Sequence, residues 1–380
     1  MRLSCLQENL SRGLAVVGRA VPTRTTLPIT QNVKLTTDRG RLQLSATNLE
    51  IAITTWVGAM IEEEGSITVP ARLLGEFVAS LPADNMSVNG TTQPWGMDLE
   101  CGKFNARING ADPEEFPPIP SIEDGIAVKL TAQVLRSAIA QTVFAAATEE
   151  SRPVLTGVKL EIEGDQLTLA AADGFRLAVH RGKLEEPANE SVGVIIPGRT
   201  LTELNRFLTD SNEIVDMVVS SSRNQISFNL TNIQLVSQLI QGNFPPFDDL
   251  VADATKEVNA RSVVVLSEFL AASRSTSIFA RDSSGIIRLQ MMPGENGEQG
   301  KIIISSKAEE IGENTGEVEA DVSGEESKIA FNSRYLIEVL SAMGGDKICL
   351  ETSGPSRAGV FKSPESDQYL HLVMPMFVQW

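Results

Sequence analysis

Two stretches of this chain, residues 26–57 and residues 151–181, carry one pattern at a fixed displacement. Pro28 and Pro153 stand 125 residues apart (153 − 28), and so do Val33 and Val158, Lys34 and Lys159, Leu42 and Leu167, and Ala46 and Ala171. One offset held through that many identities is an internal repeat, and its period is too long for a solenoid unit. In the second copy Val158, Leu160 and Ile162 alternate with polar residues, Gly164-Asp165 breaks the run, and Leu167 and Leu169 resume it. Period-two apolar spacing on both sides of a glycine-containing turn predicts a β-hairpin. A chain of 380 residues accommodates three such periods, each large enough for its own core.

The remaining elements follow the same order. In the first copy Leu3, Leu6, Leu10, Leu14 and Val17 fall at spacings of three and four and predict an amphipathic helix over 3–21, with Arg12 and Arg19 on its other face and Arg24 in the loop beyond. Thr68-Val69-Pro70-Ala71-Arg72 opens a second helix that places Leu73, Leu74, Phe77, Val78 and Leu81 on one face and stops at Pro82. Strand-like pieces over 86–110 lead to a rigid exit, Phe116-Pro117-Pro118-Ile119-Pro120. The second copy has a helix over 130–148 with Arg136 off its apolar face, then the hairpin. Its second helix is opened by Ile195-Ile196-Pro197-Gly198-Arg199 at an offset of 127 (197 − 70) and exposes Arg206, and its exit is Phe244-Pro245-Pro246-Phe247. The third copy is fainter: a helix over 264–281 with Arg274 and Arg281, a strand from Gly285, a polar loop at 293–300, and a helix opened by Ala330-Phe331-Asn332-Ser333-Arg334-Tyr335. The apolar ending Tyr369–Phe377 is unlike a frayed terminus and is expected to dock on the body.

No apolar run approaches the roughly 20 residues that span a bilayer, and the N-terminus lacks the apolar core of a signal peptide. Cys5, Cys101 and Cys349 are far apart and odd in number, which suits a reduced cytoplasmic protein with buried thiols. There is no phosphate loop, no strand-bound Gly-x-Gly-x-x-Gly and no Gly-x-Ser-x-Gly elbow. The two histidines, His180 and His371, have no metal-ligand spacing and read as structural or surface residues. Glu62–Glu64 and Glu309-Glu310 read as solvated faces or turns. Asp173-Gly174 is either an acid in a tight turn or a hairpin cap, with Asn48 as its counterpart. The net charge of −17 opposes binding to nucleic acid on average but says nothing of where the basic residues cluster.

Arg24-Thr25-Thr26-Leu27-Pro28-Ile29, Arg152-Pro153-Val154-Leu155-Thr156-Gly157-Val158, Asp173-Gly174-Phe175-Arg176-Leu177-Ala178, Gly242-Asn243-Phe244-Pro245 and Val373-Met374-Pro375-Met376 occur in one order along the whole chain. Together they closely resemble the bacterial DNA polymerase III beta subunit, the sliding clamp family. The resemblance implies an α+β DNA-clamp fold with three similar domains per chain (1–122, 123–252 and 253–380), each with two helices lining a ring and sheets outside. It implies a non-catalytic protein without cofactor or metal that encircles duplex DNA, independent of sequence, as a head-to-tail homodimer in the cytoplasm. Its partners would be the replicative polymerase, the clamp loader and other proteins with a clamp-binding motif.

By the same resemblance, Phe104 and Ile108 would meet Ile278 and Phe279 of a second copy. Arg24, Arg72, Arg136, Arg152, Arg199 and Arg206 are the candidates for phosphate contact. A peptide groove between the second and third domains would use Leu155, Ala172, Gly174, Phe175, Arg176, Leu177, Pro245, Leu250, Asn332, Tyr335, Leu372, Val373, Met374, Pro375 and Met376. Phe175 stands where the family commonly has His, Asp249 where some members have Arg, and Phe377-Val378-Gln379-Trp380 extends past the usual basic ending, so a more apolar and less basic rim is expected. Pro153 and Val154 replace aromatic residues that stack on DNA in some members. Two other classes remain open on the residues alone: an enzyme with Asp173 and Arg176 as its polar pair, and a repeat scaffold that binds proteins but not DNA.

Overall fold

The structure, a computed structural model, describes residues 1–380 except 123, 150, 282–284, 295–298 and 309–311. Glu309-Glu310 and the middle of the 293–300 loop therefore lie outside the described residues. In the first copy, strand β1 (Arg2–Leu6) leads into helix α1 (Gln7–Val17). Then come β2 (Asn32–Asp38), β3 (Arg41–Thr47), β4 (Ile51–Gly58), β5 (Met60–Glu63), β6 (Ser66–Pro70), helix α2 (Ala71–Ser80), β7 (Asn85–Thr92), β8 (Trp95–Cys101) and β9 (Phe104–Asn109). The second copy runs β10 (Gly125–Thr131), α3 (Ala132–Thr142), β11 (Gly157–Glu163), β12 (Gln166–Ala172), β13 (Arg176–Lys183), β14 (Val192–Pro197), α4 (Gly198–Phe207), β15 (Ile214–Ser220), β16 (Gln225–Asn229) and β17 (Ile233–Gln238). After helix α5 (Asp248–Lys256) the third has β18 (Ala260–Val265), α6 (Leu266–Ala280), β19 (Ile286–Met292), β20 (Lys301–Ala308), β21 (Gly312–Gly324), β22 (Ser327–Asn332), α7 (Ser333–Ala342), β23 (Lys347–Thr352), β24 (Gly359–Lys362) and β25 (Tyr369–Val373). The expected hairpin is β11–β12, closed by Glu163↔Gln166 with Gly164 at φ +58°.

The first helix begins later than its apolar spacing predicts. Leu3 and Cys5 are buried on alternate positions of β1, which pairs with both β5 and β7. A Leu3–Leu6 spacing of three fits a helix stripe, but the strand partners prevail and leave Leu6 exposed. For the same reason Leu130 belongs to β10, and the following helix ends at Thr142 with a short 3-10 turn to Ala145. Leu73 points to solvent, while Leu74 and Val78 carry the buried face of α2. Helix α5 has no buried residue and so gave no apolar stripe to read; the expected join at 252/253 falls within it.

The chain divides into two compact units, one of residues 1–133 with 206–239 and one of residues 134–205 with 240–380. In the first, β5-β1-β7-β8-β9 form one sheet and β10-β15-β16-β17-β4-β3-β2-β6 another. Helix α1 lies so close to the second sheet that a Cβ on Gly13 would come within 2.7 Å of Leu44 and Val57. In the other unit a single sheet runs β14-β11-β12-β13-β25-β24-β23-β18-β21-β20-β19-β22, over a core that includes Phe269, Phe331, Leu336 and Phe361. Strands of successive copies are thus stitched together: β17 pairs with β4, and β25 pairs with β13. The C-terminal segment is docked as its composition required, through β25 and through the Met376 N–H, which donates to the carbonyl of Ala330 at 2.8 Å.

Candidate functional site

The β12–β13 turn is held by a carboxylate. Asp173 Oδ1 accepts from the backbone N–H groups of Phe175 (2.9 Å) and Arg176 (3.0 Å), around Gly174 at φ +93°. Asn48 does the same in the first copy, accepting from Glu50 and Ile51. Asp173 is therefore the hairpin cap, and its second oxygen takes the Nε–H of Arg176 at 3.0 Å.

Arg176 is buried and fully committed. Its Nη1 pairs with Glu338 Oε2, its Nη2 donates to the carbonyl of Phe144, and its guanidinium lies 5.3 Å from the ring of Phe144 and 4.5 Å from that of Tyr335. Phe144 stacks in turn on His371, whose Nδ1 meets the Tyr369 hydroxyl at 3.0 Å. Burial, with a smaller contribution from Arg176, pushes His371 down to about 3; burial pushes His180 down to about 4. Both are structural imidazoles, neutral at pH 7, and neither is a surface residue.

Around this cluster lies a cavity of ≈550 Å³ lined by Phe144, Leu155, Asp173, Gly174, Phe175, Arg176, Tyr335 and Glu338, with Arg152 and Arg334 also on its walls. It brings together five of the expected groove residues: Leu155, Gly174, Phe175, Arg176 and Tyr335. Phe175 is 62% exposed, and Met374, whose N–H donates to the Phe175 carbonyl at 2.8 Å, is 47% exposed. Others have different places. Leu177 and Leu372 belong to a buried cluster with Phe247, against which the half-buried Ala172 packs. Val373 is 0% exposed, so its part is packing and not contact with a ligand. Asn332 caps α7 by accepting from the Arg334 N–H at 2.9 Å. Pro245 and Leu250 are exposed, Pro375 is buried and Met376 is half-buried. Phe144 and Glu338 were missed: Phe144 follows α3 and resembles any core aromatic, while the four-residue spacing of Arg334 and Glu338 was the available signal.

Models of the N-terminal, central and C-terminal domains of the DNA polymerase III beta subunit match residues 1–120, 129–246 and 255–377. The chain belongs to this family. The beta sliding clamp of Bacillus subtilis (strain 168) is 31% identical over 386 residues, with 99% of each chain covered. That of Staphylococcus aureus (strain N315) is 31% identical over 371 residues, with 94% of each covered. Among solved structures, the sliding clamp from Bacillus subtilis aligns with a TM-score of 0.92 at 30% identity over 100% of both chains. The DnaN sliding clamp from Pseudomonas aeruginosa bound to griselimycin aligns with a TM-score of 0.91 at 27% identity, again over 100% of both. The chain is thus a sliding clamp, a processivity factor of a DNA polymerase, with the clamp's α+β fold.

Within this clamp all six expected phosphate-contact arginines are exposed. Arg24, Arg72 and Arg206 lie in the first unit, Arg136, Arg152 and Arg199 in the second. Arg72 is already paired with Glu76 at 2.8 Å on the same helix. Of the expected subunit-interface residues, Phe104 and Ile278 are exposed and Phe279 is half-buried. Ile108 is 4% exposed, because the alternation of β9 turns it into the core of its own sheet. Among the described residues no group of three or more His, Cys, Asp or Glu side chains could hold a metal ion, and no helix is long and apolar enough to cross a membrane.

Proposed function

We propose that this clamp encircles duplex DNA as a head-to-tail homodimer and tethers the replicative polymerase, the clamp loader and other clamp-binding proteins through the cavity at Arg176. The observation that carries the ring reading is a pair of vacant strand edges. The last strand of the second copy pairs with β4 of the first, and the last strand of the third pairs with β13 of the second. Among the described residues, the last strand of the first copy, β9, ends its sheet, and β21, which occupies in the third copy the place of β4 and β13, pairs with β20 alone over Gly312–Glu319. Repeating the same stitch between two chains closes a ring, since a heterologous contact closes when its rotation fits. The exposed Phe104 and Ile278 suit such a contact.

Sliding requires that phosphate be attracted without being gripped. A few exposed arginines supply sequence-independent attraction, while a net charge of −17 discourages DNA from the rest of the surface. The cavity suits short peptides with apolar anchors, and the bound state of the Pseudomonas aeruginosa relative fits a ligand site on this fold. Cys5, Cys101 and Cys349 are unpaired and buried, with the Cys5 thiol pushed up to about 11, which suits work in the cytoplasm.

Sedimentation equilibrium tests the dimer: a species of twice the 41.0 kDa chain is expected, and a monomer at micromolar concentration would contradict it. For the cavity, fluorescence anisotropy with a peptide from the cognate polymerase's clamp-binding segment should show Met374→Ala weakening binding about tenfold. Unchanged affinity would remove the cavity from the account.

A further inference from the structure

Each copy of the repeat ends on the same backbone tie. Thr68, Ile195 and Ala330 hold one position, at offsets of 127 (195 − 68) and 135 (330 − 195). The carbonyl of each accepts an N–H from the segment that follows the copy's last strand: Ala111 at 2.9 Å, Ile240 at 2.9 Å and Met376 at 2.8 Å. In the first two copies an aromatic ring beyond the tie secures that segment. Phe116, five residues on (116 − 111), is 4% exposed, and Phe244, four residues on (244 − 240), packs against the cluster of Leu177, Phe247 and Leu372. In the third copy the residue four beyond the tie (380 − 376) is Trp380, whose ring centroid lies 5.8 Å from Lys328 Nζ. Lys328 stands two residues before Ala330 on β22, the end strand of its sheet. Glu326 lies 3.9 Å from the same ammonium and also takes the Gln290 amide at 2.7 Å. That ion pair is long, so the ring keeps its hold on the cation. Phe377, at 86% exposed, secures nothing; the ring that fastens the segment is Trp380.

We propose that Trp380, seated on Lys328, is a positioning residue for the peptide groove: it pins the segment beyond Met376 to β22 and so keeps Met374 standing as a preformed wall. The proposal rests on the peptide-groove reading. Neither Trp380 nor Lys328 is among the residues that line the cavity, so both act through Met374 and Met376. Met374 is tied to the Phe175 carbonyl and Met376 to that of Ala330, and the cation–ring contact fastens the chain on the far side of both. A segment held only at its start frays, and a wall that must be ordered when the peptide arrives subtracts that ordering from the affinity. A cation on a half-exposed ring is worth about a threefold change in such an equilibrium.

The test reads anisotropy of the labelled peptide from the cognate polymerase's clamp-binding segment on the full-length protein and its variants. Trp380→Ala and Lys328→Ala should each weaken binding about threefold, and the double variant no more than either alone, since one contact is lost in all three. Trp380→Phe and Lys328→Arg, which keep a ring and a cation, should bind as the unmodified protein does. Amide hydrogen exchange at Met374 and Met376 should quicken in Trp380→Ala, with Leu370 and Leu372 of β25 unchanged. Unchanged affinity in Trp380→Ala, effects that add in the double variant, or exchange that quickens throughout β25 overturns the positioning role while leaving the groove standing. Failure of the unmodified protein to bind the peptide overturns the groove and the positioning role together. Neither substituted residue is buried, and an unchanged melting temperature identifies a folded variant.

Discussion

Arg176→Met removes a charge from the middle of a closed arrangement while keeping most of the side-chain stem. Asp173, whose side chain is 12% exposed, and Glu338, at 35%, would then each lose the cation nearest to it. Removing one member of a buried ion pair costs roughly 3–5 kcal/mol, because the remaining charge stays desolvated and unpaired. Two features pull the value to the low end: Asp173 keeps its two backbone N–H donors, and Arg334 is 4.0 Å from Glu338. The lost stacking on Phe144 and Tyr335 pulls it up by about 0.5–1 kcal/mol. About 3 kcal/mol is expected, which lowers the melting temperature of a unit of this size by roughly 6–12 °C. The assay is urea unfolding followed by circular dichroism, with hydrogen exchange at Leu177 and Val179 reporting on the second unit specifically. Adding Asp173→Asn to Arg176→Met should recover part of the loss, since the stranded charge is gone. A loss below about 1 kcal/mol, the size of an exposed pair, would refute the view that Arg176 organises the site.

Two further outcomes follow from the same structure. His180 and His371 are held neutral in the folded chain at about 4 and about 3, against 6.5 when unfolded, so the unfolded state binds more protons below pH 6.5 and stability falls as pH drops from there toward those values. At pH 5 each histidine should cost about 2 kcal/mol relative to pH 7.5, and His180→Gln should remove its share of that slope; parallel pH profiles of urea midpoint would contradict this. Leu49, at φ +77° and 54% exposed, occupies the position that Gly174 holds in the second copy. Leu49→Gly should therefore raise stability by up to about 1 kcal/mol in urea, and a loss would show that the side chain has an unseen contact.

Much of the architecture was legible because the repeat writes it twice: helix α1 at 7–17 recurs as α3 at 132–142, and the hairpin at 32–47 recurs at 157–172. Periodicity failed where two periods fit the same residues, as at Leu3–Leu6, and where an element has no fully buried residue, as in α5. The site was legible at its turn, because Asp173-Gly174 has few conformations open to it. It was not legible at Glu338 and Phe144, which reach Arg176 from 162 and 32 residues away. Nor does sequence separate a groove wall from the core behind it: Leu155 lines the cavity, whereas Val373, equally apolar, is sealed within the core. Ile108 shows the same limit in a strand, where its neighbour in alternation faces out and it faces in.

A closed ring on DNA is a topological link, and one experiment reads that link directly. The clamp is loaded with its cognate loader and ATP onto a nicked circular plasmid, and onto the same plasmid linearised, and both are washed in high salt. Salt weakens phosphate contacts steeply but leaves a closed ring linked to a closed circle. Retention on the circle with loss from the linear form is the predicted result. Equal loss from both, with loading controls intact, would contradict the ring and leave a protein-binding scaffold whose work is done at the Arg176 cavity.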